Sequence, residues 1–425
     1  MGFRRLARPL AVIAAAAILA ACSSSTDAAD EAPSAATATT LVTSATSAPT
    51  TSVENAAAES GSGSTTAATA ATTAATTVVP SAALVPPRLD DESLYPPLPP
   101  QPEGVPFPTE EWPVGELPPG VPADTLDAAV ATAFGAPDAQ ARVRSLVVVH
   151  GGEIVYERYH PLDDPDTATE SWSVAKSFTS AALGLAVGDG LLDPLAPAPI
   201  PEWSAAGDPR ADITLADLLH MSSGLEWTES YGPGDDPIEM LSAPDAAAYV
   251  IDNPLVATPG ELWNYSTGTT AILSRILADA VGGNDAEVDF ITDRLLRPIG
   301  ITSTRLGLDP GGRFYGGLGA DSTPRDFARF GLLFLRDGVW DGERILPEGW
   351  VDYSRTPASS NPAYGAQWWI MGTGPTAVFS AQGLFGQQII MSPALDLVVV
   401  TTSTQGGDPQ TLSNTVIRLF ADAAA

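Results

Sequence analysis

Two stretches far apart in this chain restrict its fold more than any other feature. Arg144-Ser-Leu-Val-Val-Val-His150 and Glu153-Ile-Val-Tyr-Glu-Arg158 flank Gly151-Gly152, and a glycine pair between β-branched runs predicts a hairpin. Near the C-terminus, Gly386-Gln-Gln-Ile-Ile-Met391 and Leu395-Asp-Leu-Val-Val-Val-Thr-Thr402 predict a second pair of strands across Ser392-Pro393, with a helix at 410–421. The patterns between the pairs are helical. Phe178 to Val187 is rich in Ala and Leu and stops at Gly188-Asp189-Gly190. Thr323-Pro324-Arg325-Asp326 places an N-cap before a proline at the first helical position and opens the apolar run from Phe327 to Arg336. Strands at both ends with helices between them predict an α+β fold. Its antiparallel sheet is built from N- and C-terminal strands flanked by helices, and a mainly helical lobe is added.

That domain is expected over 123–425, because the segments before it have a different composition. Residues 1–9 carry Arg4, Arg5 and Arg8, and Leu10 to Ala21 are apolar; the run is too short to span a bilayer. Leu19-Ala-Ala-Cys22 then leads into the chain's single cysteine. Residues 1–21 therefore look like a secretory signal peptide. The segment resembles a bacterial lipobox, which would make Cys22 a lipidated N-terminus and the protein exported and anchored to the cell membrane. Residues 22–122 are expected to be a tether. Ser23 to Val79 is dominated by Ser, Thr and Ala, and 14 of the 43 residues from Pro80 to Pro122 are proline.

Charge excludes other classes. The chain has 20 basic and 51 acidic residues, a net of −31, and loss of residues 1–21 takes this to −34. Such a surface repels nucleic-acid phosphates. One cysteine and three histidines without H-E-x-x-H spacing argue against a zinc site, and no cofactor is expected. Neither a G-x-S-x-G elbow nor a P-loop is present.

Of the 20 cations, 19 are arginines and one is Lys176. It lies in Ser171-Trp-Ser-Val-Ala-Lys-Ser-Phe178, where a helix beginning near Ser173 would put positions i and i+3 on one face. A serine hydroxyl needs a base to become a nucleophile. A lysine shifted by burial can supply one, whereas arginine cannot lose its proton.

With further motifs, residues 140–420 resemble the serine β-lactamase-related family, the group of class C β-lactamases, D-Ala-D-Ala carboxypeptidases, family VIII esterases and 6-aminohexanoate-dimer hydrolases. Ser173-Val-Ala-Lys176 matches S-x-x-K, and Tyr265-Ser266-Thr267 matches Y-x-N. Leu218-Leu-His-Met-Ser-Ser-Gly-Leu225 and Asp326-Phe-Ala-Arg-Phe-Gly331 resemble two further segments, and Ala381-Gln382-Gly383 stands in the place of K-T-G. The resemblance implies Ser173 as nucleophile, Lys176 as its base and Tyr265 as proton shuttle. It also implies an oxyanion hole from the backbone N–H groups of Ser173 and Leu384. Tyr231, Thr267, Gln382 and Gly383 would contact substrate, although Tyr231 is equally readable as a packed aromatic and His220 reads as structural.

Two departures bear on substrate. Thr267 replaces the usual asparagine, and Gln382 stands where carboxylate-binding relatives carry a cation. A neutral amide gives a carboxylate no charge-assisted anchor. The expected function is therefore hydrolysis of small esters or amides through an acyl-enzyme, with little β-lactam or D-Ala-D-Ala activity. The alternatives are a β-lactamase or carboxypeptidase, and a catalytically silent cell-wall binding module.

Overall fold

Alternate side chains of the central strands enter two different cores, which divides the fold into three layers. The computed structural model describes residues 97–136, 142–372 and 374–425. The signal segment, Cys22 and the Ser/Thr/Ala-rich stretch lie outside the described residues.

Strands β1 (Val143–His150) and β2 (Glu153–Tyr159) form the first hairpin, with Gly151 and Gly152 at φ 62° and 84°, as a tight primed turn demands. The remaining strands of the sheet are β3 (Trp369–Met371), β4 (Val378–Gly383), β5 (Gln387–Ser392) and β6 (Leu397–Ser403). The order is β2-β1-β6-β5-β4-β3, and every pairing is antiparallel. The N-terminal hairpin thus joins the C-terminal strands through β1 and β6, as the sequence predicts.

Leu146, Val148, Ile390 and Val399 face helices α1 (Ala123–Phe134) and α5 (Pro409–Ala424). Val147, Val149, Ile389, Met391, Val398 and Val400 face the other core. Burial on both faces explains why these strands read as continuous apolar runs instead of alternating ones.

The second core holds α2 (Ala175–Gly188), α3 (Thr267–Val281) and α4 (Pro324–Leu335). Phe330 of α4 stacks on Phe178 of α2 at 3.8 Å between ring centroids, so the two helices share one apolar joint. The helical lobe adds short helices at Asp236–Ser242, Ala246–Ile251 and Asn284–Phe290 around α3.

The expected tether ends earlier than residue 122. Arg329 of α4 donates from Nε to the Pro108 carbonyl (2.7 Å) and from Nη2 to that of Glu110 (3.1 Å). Trp340 Nε1 donates to Thr109 Oγ1 (2.7 Å), Trp112 is buried, and the backbone of Pro113 and Gly115 pairs with Ile154. A proline-rich strap stays extended and leaves carbonyls free for such donors, so its composition resembles a linker while its contacts belong to the domain.

Gly331 faces the sheet so closely that a Cβ there would lie 2.7 Å from both Ile389 Cγ2 and Val398 Cγ1. Gly331→Ala is expected to destabilise the protein by about 1–3 kcal/mol through overpacking, read as a lower urea midpoint with an unchanged slope.

Candidate active site

The segment carrying Ser173 is fixed from both sides before its helix begins. Trp172–Val174 is a single 3₁₀ turn that runs into α2. Trp172 sits at φ 46°, a left-handed conformation that side chains avoid unless their surroundings enforce it. Here the surroundings are specific: Ser171 N–H donates to Asp321 Oδ1 (3.0 Å), and Ala320 N–H donates to Ser171 Oγ (2.7 Å). The end of β4 closes the other side. A Cβ on Gly383 would fall 2.4 Å from the Ser171 carbonyl oxygen, so the strand approaches this turn backbone to backbone. Leu384 follows directly, and Phe385, at φ 65°, meets Trp172 edge-on at 5.4 Å.

Lys176 lies one turn further along, with 1% of its surface exposed. Its Nζ is 3.0 Å from Ser173 Oγ, 2.9 Å from Thr267 Oγ1 and 3.0 Å from the Gly317 carbonyl oxygen. Burial pushes its pKa down to about 8, against the opposing pull of the Glu229 charge. The amine is therefore partly neutral near neutral pH, as a base must be.

Tyr265 lies beside Ser173, and its ring centroid is 4.9 Å from Lys176 Nζ. Burial raises its pKa and the neighbouring Ser173 hydroxyl opposes the rise, so the group remains a phenol that can give or relay a proton. Trp369 stacks on it at 5.5 Å, and Trp263 and Tyr364 complete an aromatic wall. The three groups singled out in the sequence, Ser173, Lys176 and Tyr265, thus meet at one point.

The remaining candidates are engaged inside the protein, and of these Thr267 departs from the expected contact with substrate. Thr267 is fully buried, and its hydroxyl lies between Lys176 and Glu229 instead of facing the cleft, because α3 starts at this residue and turns the side chain inward. The Tyr231 hydroxyl donates to Glu229 Oε1 (2.7 Å), so its one proton is committed inside the protein. Gln382 Nε2 donates to Ser380 Oγ (2.9 Å) on its own strand. Both ring nitrogens of His220 meet backbone carbonyls, those of Ala216 (3.0 Å) and Thr356 (3.3 Å), and burial lowers its pKa; it is a structural histidine.

Glu229 is the residue that sequence reasoning missed. Its carboxylate accepts from Trp227 Nε1 (2.6 Å), Tyr231 OH (2.7 Å), Thr267 N–H (2.8 Å) and Thr267 Oγ1. The signal was present in Glu226-Trp-Thr-Glu-Ser-Tyr231, but nothing local distinguishes Glu229 from the exposed Glu226.

The Beta-lactamase family model matches residues 123–422. A 6-aminohexanoate-dimer hydrolase of Paenarthrobacter ureafaciens is 26% identical over 329 residues, 69% of this chain and 81% of that protein. Among solved structures, a Bacillus anthracis chain assigned as a 6-aminohexanoate-dimer hydrolase superposes with a TM-score of 0.61 at 21% identity, covering 75% of this chain and 89% of its own. A D-stereospecific amidohydrolase from Streptomyces gives 0.54 at 15% identity, covering 68% and 97%. The sheet and helical lobe agree with these folds, and the chain belongs to the beta-lactamase family, as a serine hydrolase of amide or ester bonds.

Proposed function

We propose that the protein cleaves small esters or amides through an acyl-enzyme on Ser173, and that it does so outside the cytoplasm, tethered by a lipid on Cys22. The observation that carries the chemistry is the buried Lys176 amine 3.0 Å from Ser173 Oγ. In its neutral form the amine accepts the Ser173 proton as Oγ attacks the substrate carbonyl carbon. The oxyanion forms beside the N–H groups of Ser173 and Leu384, at the junction of the 3₁₀ turn and the end of β4. Tyr265 protonates the departing alcohol or amine and is recharged from the lysine side. Water then attacks the acyl ester, giving a proton to the same pair, and releases the acid.

The substrate class follows from what the cleft offers. Gln382 is neutral and already bonded to Ser380, so a substrate carboxylate finds no charge-assisted partner there. The aromatic wall of Trp263, Tyr265 and Trp369 favours apolar acyl or alcohol groups. Small esters, and amides whose carboxylate is absent or several methylenes from the scissile bond as in a linear ω-amino-acid dimer, are accordingly preferred over β-lactams and D-Ala-D-Ala peptides, whose carboxylate is on the carbon next to the scissile nitrogen.

The purified protein is offered a fluorescent phosphonate, a p-nitrophenyl ester, a linear ω-amino-acid dimer and a chromogenic cephalosporin. Ser173 is labelled by the phosphonate. Ester or amide turnover exceeds cephalosporin turnover and falls by more than about a thousand-fold in Ser173→Ala, as expected when a covalent nucleophile is lost. Rapid cephalosporin turnover would overturn the argument from Gln382, and an unlabelled Ser173 would leave only a binding module.

Lys176→Arg keeps the charge and removes the base. Acylation is expected to fall by about 10²–10⁴-fold, the usual worth of general base catalysis, when phosphonate labelling is timed by stopped flow. In cells, Cys22→Ser is expected to move the protein from the membrane fraction to the soluble one and to abolish incorporation of radiolabelled fatty acid.

A further inference from the structure

The three oxygens around Lys176 Nζ differ in what they can accept, and that difference depends on Glu229. A carboxylate can only accept hydrogen bonds. The Thr267 hydroxyl has one proton and gives it to Glu229 Oε1, so toward Lys176 its oxygen can only accept. The Gly317 carbonyl oxygen can only accept as well. A neutral amine has two N–H groups and one lone pair. With both N–H groups drawn to Thr267 and Gly317, the lone pair faces the remaining neighbour, Ser173 Oγ, at 3.0 Å. That is the arrangement in which serine can hand over its proton.

We propose that Glu229 is a positioning residue that sets the direction of the Thr267–Lys176–Ser173 hydrogen-bond chain, so that the lysine lone pair points at the serine hydroxyl. This rests on the reading of Ser173 as nucleophile and Lys176 as its base. Glu229 touches neither group that reacts, and it acts through Thr267. Its own orientation is over-determined. Trp227 Nε1 and Thr267 N–H hold Oε2, and the Tyr231 and Thr267 hydroxyls share Oε1. Thr267 opens α3, where a backbone N–H has no partner within the helix, so the carboxylate also meets the favourable end of the helix dipole. Tyr231 thereby gains a role as a brace for Glu229.

The substitution Glu229→Gln tests direction separately from fold. The two donors on Oε2 cannot reverse, so the amide oxygen must take that side and the NH₂ group must face the two hydroxyls. Both hydroxyls can turn to accept. Both hydroxyl oxygens stay paired, but the Tyr231 proton must find another acceptor and the Thr267 proton is released toward Nζ, where it competes for the lone pair. The other titratable groups around Lys176 do not replace Glu229. Tyr231, Tyr265 and Tyr364 are all pushed up by burial and stay neutral. On the side of Ser171, Asp321 and Glu170 are likewise raised by burial, and Asp321 is occupied by the Ser171 N–H.

The experiment times phosphonate labelling of Ser173 from pH 5 to 10 in the full-length protein and in Glu229→Gln, Thr267→Val, Thr267→Ser and the Glu229→Gln/Thr267→Val pair. In Glu229→Gln the plateau rate is expected to fall by about 10²-fold, the scale of a misdirected general base. Removing a charge that favours the ammonium is expected to move the acid limb, near pH 8 in the parent, down by about one unit. Thermal unfolding should be little changed. Thr267→Ser keeps the hydroxyl and should restore most of the rate that Thr267→Val loses. Thr267→Val should lose rate, and Glu229→Gln should cost nothing more on that background.

An unchanged plateau and acid limb in a folded Glu229→Gln protein would overturn the proposal. So would full additivity in the pair. Thr267→Val labelled as fast as the parent would overturn it whether or not Glu229→Gln folds. Parent protein that is never labelled at Ser173 would instead sink the underlying reading, and the proposal with it.

Discussion

A single primary amine held away from water is the constraint on which the rest of this site depends. Burying an ammonium is unfavourable unless its protons are matched by oxygens, and burial shifts the balance toward the neutral amine. Lys176 meets both conditions: it is 1% exposed, and three oxygens lie within 3.0 Å of Nζ. Two of these oxygens come from residues 91 and 141 positions further along the chain. The amine thus ties the start of α3 and the Gly317 loop to the first turn of α2.

Rigid elements supply the precision. Ser173 is on a 3₁₀ turn instead of a mobile loop, and that turn is held by Asp321, by Ala320 and by the end of β4. Beneath it, α2 rests on α4 through the Phe178–Phe330 stack, and α4 rests on the sheet through the flat surface left by Gly331. The position of Ser173 is thus a consequence of packing that begins far from it.

Much of this was legible in the sequence, for identifiable reasons. The strands β1, β5 and β6 are β-branched runs beside glycine or proline, and α2 and α4 carry helix stops or caps, so local chemistry alone marks them. Strands β3 and β4 were not found. Val378-Phe-Ser-Ala-Gln-Gly383 has neither alternation nor a continuous apolar run, and it is a strand because β5 pairs with it. At the site, Ser173 and Lys176 were visible because they share one turn, and Tyr265 because a short motif surrounds it. Thr267 was seen but given the wrong surroundings, because the direction of its side chain is set by where α3 begins. Glu229 was not seen, because its partners are brought together only by the tertiary fold.

The charge distribution limits what this amine is used for. Glu229 lies behind Thr267, Gln382 is neutral, and Arg355, the cation nearest to Gln382 in sequence, is buried against Asp352 and the Phe379 ring. The long-range field of a chain with net charge −31 also repels anions, but salt screens it beyond about 8–10 Å. Any discrimination against carboxylates would therefore arise locally, from the lack of a charge-assisted partner at Gln382. Lys176 responds to its surroundings in the same local way: burial lowers its pKa, and the Glu229 charge opposes that effect. A neutral cleft and a carboxylate behind the threonine are two parts of one electrostatic arrangement.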